Sequence, residues 1–218
     1  MKKDHETARK FIDETLKLIV EKGGSTDVNL REISKRIGCA HTSAYNYFEN
    51  YQDLMWSAFE EALKMYAHAI THNLHNRMNG YEYYTCLINN LIHFGLEHPG
   101  LYRFISTDPI NAKELPDHII TMVVAMKKYV IDVIATLSMG KIDNTEVLNL
   151  TDILIAYIDG ETTAIVTDRF LPGEDIYTRI LSNCIRIFTL FTSTSSNGID
   201  LKMVRKEDLG KDYPELTI

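Results

Sequence analysis

The sequence predicts an all-α protein, with a small N-terminal three-helix helix-turn-helix unit followed by a larger helical part. Three observations carry this. Only 11 glycines and 5 prolines punctuate 218 residues. Apolar residues recur mostly at three- and four-residue spacing, the period of a helix buried along one face. Near the N-terminus, two short helical segments are separated by Gly38 and flanked by two longer ones.

The elements follow in order. Asp4 is the expected N-cap of a first helix over 6–22, with Ala8, Phe11, Ile12, Thr15, Leu16 and Ile19 on one face and Gly23-Gly24 as its stop. Asn29-Leu-Arg-Glu32 has capping-box spacing, the asparagine accepting from the Glu32 amide and the glutamate reaching back. It opens a short helix over 30–36, with Ile33 and Ile37 inward, which Gly38 breaks. A second short segment spans 41–48. Asn50-Tyr-Gln-Asp53 repeats the capping logic and begins a long helix through Leu54, Phe59, Leu63, Tyr66 and Ile70. Asn79-Gly80 reads as a break. Further helices are expected at 82–97, 100–106, 117–139, 144–170 and 174–194, separated at His98-Pro99-Gly100, Leu115-Pro116, Met139-Gly140 and Leu171-Pro172-Gly173. The breaks divide the chain into a helix-turn-helix unit over 1–68, a larger helical unit over 69–194 and a polar tail over 195–218. Within the tail, Leu201-Lys-Met-Val204 is strand or nothing.

Composition narrows the function. With 45% hydrophobic and 24% charged residues the chain is globular. Its longest strongly apolar run, Ile119–Met126, is far too short for a bilayer, and the charged start lacks an apolar leader core. A cytoplasmic protein without a membrane partner is expected. Cys39, Cys86 and Cys184 are odd in number and widely spaced, against a disulfide framework or zinc knuckle. The sequence carries no Gly-rich phosphate loop, Gly-x-Ser-x-Gly elbow or His-Glu-x-x-His motif, so neither an enzyme nor a cofactor is expected. The net charge of −7 argues against nucleic acid until it is divided, since residues 1–68 carry −1 and residues 69–218 carry −6. Lys2, Lys3, Arg9, Lys10, Arg31, Lys35 and Arg36 are the cations expected to meet phosphates. A near-neutral head predicts weak non-specific binding and dependence on specific contacts.

The chemistry lies in the second short segment. A helix that enters a groove about 12 Å wide must be short and must present small or polar side chains. His41, Thr42, Ser43, Tyr45, Asn46 and Tyr47 are its outward candidates, while Ala44 and Phe48 pack back onto Ile33 and Ile37. All six can donate or accept a hydrogen bond. Asparagine pairs bidentately with adenine, and the hydroxyls suit phosphates or base edges. Alone, Tyr45-Asn-Tyr-Phe48 would suit ordinary core aromatics. The caps at Asn29 and Asn50 and the Gly38 turn favour DNA binding.

The run from Asn29 to Leu54 resembles the DNA-binding signature of TetR-family transcriptional regulators, and the resemblance covers roughly the first 65 residues. It implies that Asn29 stands where a threonine caps the second helix and contacts phosphate. It also puts His41, Thr42 and Ser43 at base edges, and Tyr45 and Tyr47 at aromatic positions whose hydroxyls reach the backbone. Arg31, Asn46 and Tyr51 complete the expected DNA-binding set. Three positions depart from the pattern. Ala40 replaces a serine cap at a cost of about 1 kcal/mol, Ala44 replaces a larger apolar residue, and Tyr51 replaces a lysine that contacts phosphate.

For the second half the resemblance implies a homodimer on double-stranded palindromic operator DNA, a repressor released by an unknown small-molecule effector. Expected effector-pocket residues are Tyr84, Phe104, Met122, Met126, Tyr129 and Tyr157, with Asn90, His93, Glu161 and Thr162 as polar anchors. The last two helices are more apolar than one buried face needs, so a second copy is expected to cover Gly160, Ile180, Cys184, Ile187, Phe188 and Phe191. Lys127 and Lys128 read as solvated charges. His68, His72 and His75 have helical spacing, and two histidines one turn apart can hold a metal. A solvated polar face explains them as well, and no metal is assigned. The competing class is an all-α ligand- or metal-binding interaction protein with a degenerate helix-turn-helix.

Overall fold

The computed structural model describes residues 2–110, 114–169 and 175–193, and among them every regular element is helical. These are α1 (Lys2–Lys22), α2 (Leu30–Ile37), a 3₁₀ helix (His41–Asn46), α3 (Tyr51–Thr71), α4 (Gly80–Glu97), α5 (Pro99–Ser106), α6 (Asp117–Ser138), α7 (Asn144–Val166) and α8 (Ile176–Ser193). The Leu171-Pro172-Gly173 break, the 195–218 tail and its Leu201–Val204 stretch lie outside the described residues. Among the described residues no helix is long and apolar enough to cross a membrane.

Helix ends account for the layout, with corrections. Asp4 is not a cap, because α1 begins at Lys2 and runs through it. At the other end Gly24 N–H donates to Ile19 O at 2.9 Å, and Gly23 takes a left-handed φ of 69° that suits glycine. Asn29 Oδ1 accepts from Glu32 N–H at 3.0 Å, but the reciprocal half of the expected box is missing. The Glu32 carboxylate instead takes Lys22 of α1 and Arg36 of its own helix, so it staples α2 to α1. A complete box stands at a site read only as a break. Asn79 Oδ1 accepts from Glu82 N–H, Glu82 Oε2 accepts from Asn79 N–H, both at 3.0 Å, and α4 starts there. Pro99 occupies the first turn of α5, where its missing N–H costs nothing.

Two buried clusters result. The first joins α1, α2, the 3₁₀ helix and the first half of α3, through Phe11, Leu18, Ile19, Ile33, Phe48 and Leu54, and continues into α5 through Leu101, Tyr102 and Phe104. Each fully buried leucine, isoleucine or phenylalanine contributes roughly 1.5–3 kcal/mol. The second joins α4, α6, α7 and α8 around Leu87, Ile92, Ile134, Leu150, Ile158 and Ile180.

Two glycines let helices touch. A Cβ at Gly100 would lie 2.6 Å from Ile19 O and 3.2 Å from Val20 Cα, so α5 rests directly on the backbone of α1. A Cβ at Gly95 would lie 2.2 Å from Thr162 Cγ2, which brings α4 onto α7. Gly160, by contrast, has nothing within 4 Å of a Cβ and is exposed on α7.

Candidate nucleic-acid interface and ligand cavity

The segment after Gly38 forms six residues of 3₁₀ helix and no α-helix. Ala40 offers no side chain to cap it, and Thr42, Ser43 and Asn46 are residue types of modest helix propensity. Ser43 N–H donates to Ala40 O, and Tyr47 N–H donates to Ala44 O, both at 2.9 Å. Ala44 and Phe48 are buried, and the Phe48 ring meets Phe11 edge-on with centroids 6.1 Å apart. His41, Thr42, Tyr45 and Asn46 are exposed, with Ser43 half-buried beside them. Tyr47 is half-buried, its ring tilted against Phe11 at 6.2 Å. The outward set is therefore polar, contiguous and mounted on a hydrophobic anchor.

Around it, Asn29 and Arg31 are exposed at the start of α2. The Tyr51 hydroxyl donates to Val28 O at 2.8 Å, and burial raises its pKa. It ties the start of α3 to the loop before α2. Asn50 Oδ1 accepts from Asp53 N–H at 2.9 Å, and Asp53 Oδ2 accepts from Glu49 N–H at 3.0 Å. The expected phosphate-facing cations divide. Arg9 pairs with Asp13 and Glu61 at 2.8 and 2.6 Å, Lys10 with Glu6 at 2.9 Å, and Arg36 with Glu21 at 2.7 Å. Arg31 and Lys35 are exposed, with no ion pair among the described residues.

From about 12 Å along α3 onward, a cavity of about 280 Å³ opens between α3, α4, α5, α6 and α7. Its walls are Phe59, Leu63, Tyr66, Ile70, Leu91, Ile105, Ser106, Val123, Met126, Lys127, Val130, Asp152, Ile155, Ile158 and Asp159. Of the ten residues expected to line a pocket, only Met126 does. Tyr84 is buried, donates to Cys184 O at 2.8 Å and meets the Phe188 ring at a tilt of 42°. Phe104 packs against Phe59 and borders a smaller hollow beside Tyr51. Met122 is half-buried against the first core. The Tyr129 hydroxyl meets that of Tyr83 at 3.0 Å, and Tyr157 accepts from Asn183 at 2.8 Å. Asn90 donates to the free carbonyls of Ile70 and His72 at 2.9 and 2.7 Å, closing the end of α3. His93 is exposed near Glu97, Glu161 pairs with Arg179 at 2.9 Å, and Thr162 is buried against Gly95.

Spacing missed the polar wall because its members come from different helices. Lys127, read as solvated, lies at the mouth 2.7 Å from Asp152. Two further expectations need correction. Ile180 and Cys184 are fully buried within the protomer, so neither can meet a partner, whereas Ile187, Phe188 and Phe191 are half-buried. Burial pushes the Cys184 thiol up to about 12. The His68 and His72 rings lie 6.3 Å apart at the end of α3, but His75 falls in the segment beyond the helix and does not continue their row. Among the described residues no three potential ligands gather for a metal.

Besides α3, a polar joint ties the cavity wall to the loop between α1 and α2. Asp108 follows α5 and is nearly buried. Its Oδ2 accepts from Ser25 N–H at 2.5 Å and from Ser25 Oγ at 2.8 Å, in the loop between α1 and α2. Ile105 and Ser106, in the last turn of α5, line the cavity.

No protein-family model and no curated protein matches the sequence. Solved structures do match. A protein from Vibrio parahaemolyticus described as a TetR-family transcriptional regulator is 14% identical with a TM-score of 0.61, over 82% of this chain and 96% of that one. A Rhodococcus protein described in the same terms is 11% identical with a TM-score of 0.64, over 86% and 99%. The fatty acid degradation regulator FadR from Bacillus halodurans is 17% identical with a TM-score of 0.60, over 85% and 94%. The chain has the fold of TetR-type transcriptional regulators.

Proposed function

We propose that the protein is a ligand-responsive DNA-binding transcriptional regulator, a repressor that binds a palindromic operator as a homodimer and is released by a small-molecule effector. The observation that carries this is the exposed polar set His41, Thr42, Tyr45 and Asn46 on a short helix anchored by Ala44 and Phe48. Asn46 suits an adenine edge, and the hydroxyls of Thr42, Ser43 and Tyr45 suit base edges or phosphates. Asn29, Arg31 and Lys35 supply flanking phosphate contacts. Residues 1–68 form the reading unit and 69–194 the effector and dimer unit, with α3 shared between them. Asn149, Ile153, Ala156 and Gly160 share an exposed face of α7, and with the end of α8 they form the two-fold contact. Two heads about 34 Å apart then meet successive major grooves.

The cavity connects to the head by two routes, α3 itself and α5 with its Asp108–Ser25 joint. An effector that favours one arrangement of α5 over α1 lowers operator affinity by its preference for that state. The test is retardation of the protein's own upstream DNA at moderate salt, with sedimentation for the dimer. Alanine at both Tyr45 and Asn46 should weaken site-selective retardation by about tenfold or more and leave the unfolding midpoint unchanged. Retardation that ignores DNA sequence, or survives both substitutions, sinks the proposal.

A further inference from the structure

The cavity between α3 and α7 is apolar along most of its wall, through side chains such as Leu91, Val130 and Ile158. Its charged groups are unequal. At the mouth Lys127 and Asp152 lie 2.7 Å apart with side chains 51% and 60% exposed, so each has a counter-charge and water. Two turns along α7, Asp159 lines the same wall in a different state. Its Oδ1 accepts from the Tyr102 hydroxyl at 3.0 Å, and among the described residues no cation pairs with it. Tyr66, on α3, lines the same cavity.

A carboxylate bordering an apolar space without a counter-charge is costly. A cation carried in by a ligand removes that cost, whereas an anion there adds repulsion. An aromatic ring alongside adds a further cation contact. The volume, about 280 Å³, sits just below the roughly 300–1,000 Å³ of pockets for drug-sized molecules, which favours a compact occupant.

We propose that this cavity binds a compact apolar or aromatic molecule bearing one protonated amine, its ammonium at Asp159 beside Tyr66 and its hydrocarbon against Leu91, Val130 and Ile158. Naming that molecule the effector rests on the regulator reading; its binding does not.

The test uses three probes that share one hydrocarbon body: 4-phenylbutylamine, 4-phenylbutanol and 4-phenylbutanoate, titrated calorimetrically into the full chain near neutral pH. The amine should bind about tenfold or more tighter than the alcohol, the worth of one charge-assisted hydrogen bond, and the butanoate should bind weakest. Asp159→Asn should bring the amine down to the level of the alcohol and leave the alcohol unchanged, which also reports that the variant is folded. Lys127→Met, which leaves the Asp152 carboxylate at the mouth without its cation, should not weaken the amine. Tightest binding by the butanoate, lost in Lys127→Met, overturns the proposal in favour of an acid ligand. Equal binding of all three, or binding of none, overturns it outright. The ranking on the unaltered protein decides the matter even if Asp159→Asn fails to fold. No reading involves DNA, so failure here and failure to bind an operator are separate results.

Discussion

The two ends of α3 are built on different plans. At its N-terminal end Asn50 caps the helix, Tyr51 ties it to Val28, and Leu54 and Ala58 are fully buried. At its C-terminal end Leu63, Tyr66 and Ile70 border open space whose other walls come from residues 91–159. The first end is a solid mount for an exposed polar surface. The second borders a cavity of about 280 Å³. Between them lies the contact of α5 on α1, and the difference between mount and cavity matters only if that joint is stiff.

The largest expected effect is therefore at the joint. Gly100→Ala would set a methyl 2.6 Å from Ile19 O, where only backbone can yield. We expect a loss of about 3 kcal/mol, the upper end of overpacking costs, read by urea unfolding. Gly160→Ala, in a helix with open space around it, should instead gain up to about 1 kcal/mol in a dilute monomer. A neutral Gly100→Ala would mean that α5 slides freely and transmits nothing. A Gly160→Ala that weakens self-association would mark that face as the dimer contact.

Next in size is Asp108→Ala, which strips two acceptor contacts from Ser25. Hydrogen bonds to charged groups are worth about 1.5–3 kcal/mol, and a loss of about 2 kcal/mol is expected. If Asp108 is part of the route between cavity and head, effector-induced release from DNA should shrink by more than DNA affinity itself does. Equal falls in both would make Asp108 a plain structural brace.

The same contrast explains what the sequence could disclose. The head was legible because its determinants are local. Asn29, Gly38 and Asn50 act within a few residues of themselves, and Ala44 and Phe48 anchor a helix only six residues long. Even there the Glu32 half of the box failed, because Lys22 and Arg36 compete for its carboxylate. The cavity was illegible because helical period reports which residues face inward but not whether they meet packing or space. Tyr84 and Val130 are both buried with the correct period, yet Tyr84 is spent on Cys184 O while Val130 faces the void. The box at Asn79-Gly-Tyr-Glu82 was readable, and the flanking Gly80 disguised it as a break.

The mount carries one visible flaw. Ser34 is buried in α2 with no partner for its hydroxyl among the described residues. Ser34→Ala removes an unsatisfied group and adds helix propensity, so stability should rise by about 1 kcal/mol. An unchanged midpoint in chemical denaturation would mean that the hydroxyl is satisfied by water, and that the head is less tightly sealed than the contrast requires.

The smallest effect tests the cavity end, and it depends on pH. Burial raises the Asp159 carboxyl above the ordinary aspartate range, and the Tyr102 hydroxyl that donates to it opposes only part of that shift. The folded chain thus holds this proton to higher pH than the unfolded chain does. The resulting stability is fully present below the unfolded pKa and is lost as pH rises through the folded one. Tyr66 and Tyr102, the hydroxyls facing it, are themselves raised by burial and stay neutral throughout, so the carboxyl titrates against a constant background. Asp159→Asn keeps the acceptor for Tyr102 and removes the titration. Thermal midpoints at about pH 4 and about pH 8 should show the variant gaining on the parent chain at the higher value. A constant difference would mean that Asp159 is already compensated. It would then be no standing charge for a ligand to neutralise, and the void at this end of α3 would be a packing defect.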